Sequence, residues 1–572
     1  MRHWRTLVAC VLMISIAVRL VPSLSYGHPY GFDVFDLMSR VVPALRTGKF
    51  MTDLPQGPLL YSLLSELTML SGVSLETISS FIAPGILALS TLPAIIYTKK
   101  AINDESAAIV AGLLAATTSV IVHQTGGTVV WEGLGTIFAG FALTFLIQPN
   151  LRNPKEMVLL CMTMAGVLFS HHLTTMNVLL GLGVAMLFTM VSVARRETSV
   201  KEAYKQILLT VLLGVAALLI WVFVIPSSTI EVIDLTTASM NIWTLVAGGF
   251  LAAILIAASY RVINVRRARG FWTARPFTLA LVAFFASTAV PLLLYFSGGM
   301  SAEMLRMTLY MGVPLCVVYI PLFVAGLVSV INSRIESRVL MFLLAFPTAC
   351  ASLTIFLILQ PGLGVLAYRE ISFLLYSLLP IEGVGLMEIV RRGTPARRYV
   401  VAFIVAYSIL ALASTSYPSR NYLIGLDETY QPSDLRASKI IVNVVPSTAP
   451  IDADVRMGNL IFYFSGRDIN WVSNVTYWTS PGPAWLGKSA MAGHPLDIPP
   501  NVSFIVLSET MLKSNGGVVV DLLSRKLYPL PDEALTYLER RPGVSKVADA
   551  GTTLLFQVVR RQAEETPRRA KP

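Results

Sequence analysis

The feature that most constrains this chain is a series of apolar stretches, each long enough to cross a lipid bilayer. A membrane-spanning helix needs about 20 mostly apolar residues. We predict about thirteen spans: 6–25, 78–98, 105–123, 132–148, 156–174, 176–194, 206–226, 242–260, 277–297, 307–331, 339–359, 371–390 and 399–416. Hydrophobic residues make up 55% of the sequence, which is more than a soluble core requires, and charged residues make up only 13%. The chain is therefore predicted to be a multi-pass membrane protein embedded in the lipid bilayer.

Lysine and arginine are distributed unequally between the two sides of the predicted membrane domain. The loops on one side carry twenty-one of them, and the loops on the other side carry five. Because positively charged loops remain in the cytoplasm, the rich side and the N-terminus are predicted to be cytoplasmic. An odd number of spans then places the C-terminal part outside. The net charge of +11 is scattered among the span ends rather than gathered in one patch, so no nucleic-acid partner is predicted.

The composition changes after the last predicted span. Pro, Asp, Asn and Ser become common, and apolar runs shrink to strand length in KIIVNVV, SFIVLS and TTLLFQVV. Helices are predicted near 432–442 and 532–541. The predicted organisation is an α-helical membrane domain, 1–416, whose outer loop 26–77 carries an interfacial helix; an extracytoplasmic α/β domain, 417–561; and a disordered basic tail, 562–572.

Two acids precede an amphipathic segment in the first outer loop. Asp33 and Asp36 would lie at the N-terminus of a helix over Val34 to Leu45, which is predicted to lie in the membrane interface. One interpretation is capping, with Asp33 as the cap and Asp36 as its third-position partner. The other is that one carboxylate serves as a general base or metal ligand in a transfer reaction. The two roles are compatible, and both remain open.

More polar residues gather at the outer ends of the predicted spans. They are His123, Gln124, Glu132, His171, His172, Glu303, Arg306, Arg369 and Glu370. Ionisable groups at membrane depth are costly and usually functional, so their accumulation on one face favours a polar cavity over separate headgroup contacts. Arg369 suits a phosphate, because the fork of guanidinium donors matches phosphate oxygens. An ordinary contact with an anionic headgroup is the alternative for this residue.

These residues resemble the GT-C superfamily of membrane glycosyltransferases, which take sugars from polyprenyl-phosphate donors on the outer face. The resemblance rests on GFDVFDL followed by ALRTGKF and PQGPLLY, on the thirteen-span plan with an outer α/β domain, and on the polar outer loops. In architecture the chain is most similar to the catalytic subunit of oligosaccharyltransferases. It lacks their acceptor-binding signature WWDYG, and the loop HQTGGTVVWEG has no paired acids.

The resemblance implies a reaction and a set of site residues. The donor would be a polyprenyl-phosphate sugar or a lipid-linked oligosaccharide, and the acceptor a glycan or a protein. The implied roles are Asp33 and Asp36 as catalytic acids; Asp33 and Glu132 as ligands of a divalent cation, Mg or Mn; Arg369 at the lipid phosphate; Glu303 at the acceptor; and His171, His172 and His123 as further substrate-binding residues. The implied mechanism is an inverting displacement in which lipid phosphate is the leaving group.

Two other classes of protein remain as alternatives. A transporter or flippase also needs many helices and buried polar groups, although transporters place charges near the bilayer midplane and show inverted repeats. A non-catalytic assembly subunit would use the outer domain to bind a partner, with the histidines and acids merely interfacial. Loss of sugar transfer on replacement of Asp33 would exclude the assembly subunit.

Overall fold

The structure is a computed structural model that divides the chain into two units. The first comprises Met1–Tyr30 and Lys49–Ile424, and the second Gly31–Gly48 and Gly425–Pro572. The residues described are 2–31, 33–48, 57–149, 153–194, 200–224, 252–259, 289, 292, 313–333, 335–359, 364–391, 430–446, 449–453, 455–465, 502–508, 518–521, 526–529, 533–551 and 553–559.

The first unit is built from helices. They are α1 Arg2–Tyr26, α3 Leu59–Ser71, α4 Leu75–Ile102, α5 Glu105–Thr117, α6 Ser119–Gly127, α7 Trp131–Leu146, α8 Pro154–Ser170, α9 His172–Ala194, α10 Val200–Phe223, α11 Val313–Asn332, α12 Ser337–Leu359 and α13 Gly364–Arg391, with a further helical stretch at 252–259. The helix α2, Asp33–Thr47, belongs to the second unit. Within α4, residues Ile78–Ile82 form a π-helical turn and Ala88–Ser90 a 3₁₀ turn.

The predicted membrane class is confirmed by the length and composition of these helices. Five described helices are long and apolar enough to cross a membrane, or six when the bent pair α5 and α6 counts as one span. The predicted spans 242–260, 277–297 and 399–416 lie largely or wholly outside the described residues. The total of thirteen spans therefore stays a prediction.

One predicted span differs from the structure. The stretch 105–123 was expected to be a single helix, whereas α5 and α6 meet at a break with a bend of 66°. Thr118 is extended there, with φ −69° and ψ 115°, and its amide still donates to the carbonyl of Leu114. The bend turns the chain sharply before the loop that leads into α7.

Small residues allow α13 to pack closely against its neighbours. A Cβ at Gly385 would lie 1.9 Å from the carbonyl oxygen of Leu322, and one at Gly326 would lie 1.8 Å from that of Ile381. A Cβ at Gly383 would lie 2.5 Å from the carbonyl oxygen of Ala107. Glycine therefore lets the backbones of α11 and α5 approach α13, as small residues do in membrane helix interfaces. This packing fixes the helix that carries Arg369.

The second unit combines helices with a small mixed sheet. Its elements are α2 Asp33–Thr47, α14 Pro432–Val444, β1 Ile451–Asp452, α15 Val455–Ser465, β2 Phe504–Ser508, β3 Val518–Asp521, β4 Lys526–Pro529, α16 Glu533–Arg540, β5 Val544–Asp549 and β6 Thr553–Val558. The strand order is β1-β2-β6-β5, with β1 parallel to β2 and the other pairs antiparallel. Strands β3 and β4 form a separate antiparallel pair. The predicted α/β character is confirmed.

The run KIIVNVV forms the second half of helix α14 rather than the predicted strand. A capping box between Gln431 and Asp434 begins this helix, and Ala437 and Ile441 are buried one turn apart on one face. The buried residues thus follow the helical period despite the β-branched composition of the run, and the capping box sets where the helix begins. The runs SFIVLS and TTLLFQVV do form strands, β2 and β6.

The predicted helix of the first outer loop is present as α2, and it packs within the second unit. Phe35 lies edge-on to Tyr430, with ring centroids 4.9 Å apart, and 5.6 Å from the ring of Tyr463 on α15. Leu37, Met38 and Val41 are buried as well. The apolar face of α2 is therefore part of the core of the second unit.

Candidate functional site

A buried charged cluster lies where α7, α13 and the junction of α8 and α9 meet. Arg369 Nη1 donates a hydrogen bond to Glu132 Oε1 at 2.6 Å. His171 Nε2 lies 3.7 Å from the same oxygen, and the two side chains form an ion pair when the imidazole is protonated. Glu132 and His171 lie near the ends of two predicted spans and Arg369 just before a third, so only the helix packing brings the three residues together.

The members of this cluster differ in exposure. The side chain of Glu132 is 1% exposed and that of His171 2%, whereas that of Arg369 is 20% exposed. Among the described residues, Glu132 Oε2 has no hydrogen-bond partner. A buried carboxylate is stable only with compensation, which Arg369 supplies from its inner side. The guanidinium therefore has one end on the carboxylate and remains partly accessible.

The junction between α8 and α9 positions the two adjacent histidines. The helix α8 ends at Ser170, His171 is extended with φ −163° and ψ 129°, and α9 begins at His172. The two imidazole rings have centroids 4.7 Å apart. His171 Nδ1 lies 3.3 Å from Thr174 Oγ1, in the first turn of α9. The break in the helix thus turns His171 toward Glu132 and fixes its second nitrogen.

A glycine in α7 allows α9 to approach the cluster. A Cβ at Gly135 would lie 2.5 Å from Thr174 Oγ1 and 3.0 Å from Thr174 Cβ. Gly135 follows Glu132 by one helical turn, and Thr174 is the residue that contacts His171. The absence of a side chain at Gly135 therefore permits the close approach of Glu132 and His171, whose side chains lie 3.7 Å apart.

A second polar network lies beside Arg369. Asn177 Nδ2 on α9 donates to Glu370 Oε1 at 3.0 Å, and Cys350 Sγ on α12 donates to Asn177 Oδ1 at 3.3 Å. Glu370 is fully buried, and its Oε2 has no hydrogen-bond partner among the described residues. No local pattern in the sequence singled out Asn177.

The predicted catalytic acids of the first loop belong to the second unit. Asp33 and Asp36 lie in the first turn of α2, as the sequence predicts. Arg40 Nε donates to both carboxylate oxygens of Asp36, at 3.2 and 3.1 Å. This i, i+4 ion pair gives Asp36 a local structural role in addition to any catalytic one.

The other predicted residues have different positions. His123 is buried in α6, within a π-helical turn that continues to Gly127. Its carbonyl oxygen accepts hydrogen bonds from the amide and hydroxyl of Thr128. Glu303 lies outside the described residues.

A metal site does not emerge from the part of the chain that the structure describes. No group of three or more His, Cys, Asp or Glu side chains there is placed to hold a metal ion. One oxygen of Glu132, a predicted ligand, is already paired with the guanidinium of Arg369. The described residues therefore do not by themselves fit a divalent cation.

Comparison with known proteins identifies the fold. No family model matches the chain, and no curated protein matches it in sequence. The crystal structure of an Archaeoglobus fulgidus oligosaccharyltransferase tethered to an acceptor peptide with an NVT sequon is similar, with a TM-score of 0.55 and 14% identity over 89% of this chain and 69% of that one.

Two further structures from that organism agree. The oligosaccharyltransferase AglB in complex with an inhibitory peptide and a dolichol-phosphate gives a TM-score of 0.54, with 14% identity over 89% of this chain and 69% of that one. A complex with Zn and sulfate gives 0.53, with 13% identity over 88% and 68%. At such identities the similarity concerns the fold. The chain thus has the polytopic membrane fold of these oligosaccharyltransferase structures, in agreement with the architecture that the resemblance in its sequence predicted.

Proposed function

We propose that this protein is a membrane glycosyltransferase. It moves a sugar from a polyprenyl-phosphate-linked donor to a lipid-linked glycan or protein acceptor on the outer face of the membrane. The observation that carries the proposal is the 2.6 Å pair between Arg369 and buried Glu132, with His171 beside it, in a GT-C fold.

The geometry of Arg369 supports a role at the donor phosphate. Glu132 holds one guanidinium nitrogen, so the side chain is oriented before any ligand binds. The side chain is 20% exposed, so a ligand can approach the guanidinium. A planar fork of donors that is already oriented loses less conformational entropy on binding a phosphate than a flexible cation would.

The reaction would be a displacement at the anomeric carbon of the donor sugar. The acceptor oxygen forms a bond to that carbon while the bond from the carbon to the phosphate oxygen breaks. The bonding electrons leave with the lipid phosphate, and the acceptor proton passes to a general base. Arg369 stabilises the negative charge that develops on the phosphate, as preorganised donors do in a water-poor site.

The remaining roles follow from the resemblance and are part of the proposal. Asp33 is the candidate base, and Asp36 supports it from the same turn of α2. His171 and His172 are candidates for hydrogen bonds to the donor phosphate or sugar, and His123 and Glu303 for further substrate contacts. A divalent cation is tested by adding EDTA and restoring Mg²⁺ or Mn²⁺, and no step above passes through a metal.

Sugar transfer by the purified protein tests the proposal. We would reconstitute the full chain in nanodiscs, supply radiolabelled polyprenyl-phosphate sugars with membrane extracts as acceptor, and count the transferred label. Asp33→Asn and Glu132→Gln keep the size of each side chain and remove its charge. We expect transfer by the wild type and a loss of at least 100-fold in each variant, in line with removal of a general base or a positioning charge.

Arg391→Ala is the matched control for the charge on α13. Arg391 also forms an ion pair on this helix, with Nη2 at 2.7 Å from Asp104 Oδ2, but at the opposite end. Its replacement should leave transfer within about twofold of the wild type, since an exposed pair contributes little. Equal transfer by wild type and Glu132→Gln would contradict the proposal.

One observation favours the alternative of a transporter. Glu382 is fully buried within the span Arg369–Arg391, and neither of its carboxylate oxygens has a partner among the described residues. Transporters place such groups inside the membrane. Movement of a labelled lipid-linked sugar across proteoliposomes, abolished by Glu382→Gln and accompanied by no transfer, would establish the transporter instead.

A further inference from the structure

Arg19 is a fully buried arginine in the C-terminal half of the membrane helix α1. No Asp or Glu of the described residues forms an ion pair with it. A charged group at this depth is costly unless its donors are satisfied. The question is therefore what its guanidinium binds.

All three guanidinium nitrogens donate to neutral oxygens. Nε donates to the carbonyl of Thr125 at 2.8 Å, and Nη2 donates to the hydroxyl of the same residue at 2.5 Å. Nη1 donates to Ser15 Oγ at 2.6 Å. Weaker contacts join Nη2 to the hydroxyl of Ser90 and the carbonyl of Ala115, both at 3.4 Å. The two shortest bonds made outside α1 both go to Thr125.

Two of these acceptors, Ala115 and Thr125, lie where the broken span departs from regular helix. Ala115 is in the last turn of α5, where helix carbonyls have no partner within the helix. Thr125 lies in the π-helical turn of α6 and is not helical, with φ −117° and ψ 28°. In a membrane such freed carbonyls must be satisfied by the protein. Arg19 therefore supplies donors at both places where the helical ladder is interrupted.

The packing around Gly126 confirms how closely the two segments fit. Gly126 has φ 133°, and a Cβ there would lie 2.9 Å from Arg19 Cδ. Only a glycine adopts this backbone conformation without strain and leaves room for the arginine stem. Residues 128–130 then lead directly into α7, whose second residue is Glu132.

We propose that Arg19 is a positioning residue. It holds α6, the segment after the 66° bend, in place so that Glu132 meets Arg369. It acts through Thr125 and does not touch the charged cluster. The consequence for sugar transfer rests on the proposed function, whereas the effect on the segment does not. If Arg19 only stabilised the fold, its replacement would loosen α1 and its neighbours without a preferential effect on α6.

Hydrogen–deuterium exchange of the full chain in nanodiscs, without donor, tests this. The variants are Arg19→Met and Thr125→Val, which remove the donors and the hydroxyl acceptor, and Thr125→Ser, which restores the hydroxyl. Val11→Ala is the control, because Val11 is a buried residue of α1 that packs against Ile95 and Ala108 instead of α6. Peptides covering 118–131 are compared with peptides covering α12.

We expect Arg19→Met to raise the exchange rate of the 118–131 peptides by at least tenfold, with α12 unchanged. Thr125→Val should give a smaller rise, and Thr125→Ser should give a rate near that of the wild type. The double variant Arg19→Met with Thr125→Val should give a rise no larger than that of Arg19→Met alone. Unchanged rates, or an equal rise in every helix, would overturn the proposal. Thr125→Val retains the arginine and carries the test if Arg19→Met does not fold.

Transfer assays separate this inference from the proposed function. Where the wild type transfers sugar, Thr125→Val should lower kcat by at least tenfold with KM for the acceptor within about twofold, and Thr125→Ser should restore kcat. Accelerated exchange with unchanged kcat would overturn the positioning of Glu132. Absence of transfer by the wild type would contradict the proposed function alone, because the exchange results are read without it.

Discussion

The two ends of α13 treat buried carboxylates in opposite ways. Near its N-terminal end, Arg369 pairs with Glu132, and Glu370 accepts from Asn177. Glu382, about 18 Å further along a helix that rises about 1.5 Å per residue, has no partner for either oxygen among the described residues. The first region is compensated by specific geometry, while the second carries an uncompensated cost. Of these three buried carboxylates, only Glu132 and Glu370 have a partner among the described residues, which marks the region around Arg369 as the organised site.

Breaking the compensated pair should have the largest effect on stability. Arg369→Ala leaves the charge of Glu132 buried without its partner, which we expect to cost about 3 kcal/mol of unfolding free energy. The double variant Arg369→Ala with Glu132→Gln should cost less than the single one, because the uncompensated charge is gone. Thermal unfolding in detergent measures both. A double variant less stable than Arg369→Ala would show that no such charge is left behind.

The close approach of α7 and α9 should have the next largest effect. Gly135→Ala places a methyl group against Thr174, and such overpacking costs about 1 to 3 kcal/mol. Gly183→Ala on α9 is the control, since nothing lies within 4 Å of a Cβ there. The control should be neutral or stabilising by up to about 1 kcal/mol. Equal unfolding temperatures for the two variants would contradict the role given to Gly135.

The uncompensated end should respond in the opposite direction. Glu382→Leu removes a buried carboxylate and extends the apolar face formed by Leu375, Leu379 and Leu386, so we expect about 1 kcal/mol of added stability. Glu382→Gln should be close to neutral. Transfer should persist in both variants. A loss of stability in Glu382→Leu would mean that this carboxylate has a partner beyond the described residues and would remove the contrast between the two ends.

The smallest effect is expected at the exposed ion pair between Arg391 and Asp104. Partial burial raises the pKa of Asp104, but hydrogen bonds from Arg391 and from the amides of Ala107 and Ser106 outweigh it, so the pKa lies below its ordinary value. The stabilising contribution is therefore present above about pH 4 and is lost as pH falls through the folded-state pKa.

The unfolding temperatures of wild type and Asp104→Asn should consequently differ slightly at neutral pH and converge in acid. We expect the free energies of unfolding of the two proteins to differ by less than about 1 kcal/mol at neutral pH. This difference also shrinks in high salt. A difference that grows as the pH falls would contradict the direction of this pKa shift.

The sequence predicts the parts of this structure that depend on local patterns. Hydropathy locates the described spans, and the i, i+4 spacing of Asp36 and Arg40 is readable without coordinates. Glu132, His171 and Arg369 each stood out as ionisable groups at span ends. Their convergence was not predictable in detail, because the choice of neighbours among similar apolar helices depends on packing rather than on periodicity.

Other features leave little local signal. The bend at Thr118 has no proline or glycine beside it, so the period of the apolar residues continues through the break. Asn177 and Gly135 look like ordinary residues of membrane helices, and their roles appear only when α7, α9 and α13 are placed together. The acceptors of Arg19, Thr125 and Ala115, lie about 100 residues later in the chain.

Arg369, oriented by Glu132, is proposed to bind the donor phosphate, and stabilisation of the protein by such a ligand tests this role. We would measure the unfolding temperature of wild type, Arg369→Lys, Arg369→Ala and Arg391→Ala in nanodiscs with undecaprenyl phosphate, dolichyl phosphate, or the corresponding neutral polyprenols. We expect one or both phosphates, and neither polyprenol, to stabilise wild type and Arg391→Ala, with a smaller shift for Arg369→Lys and none for Arg369→Ala. Equal stabilisation of wild type and Arg369→Ala would contradict it.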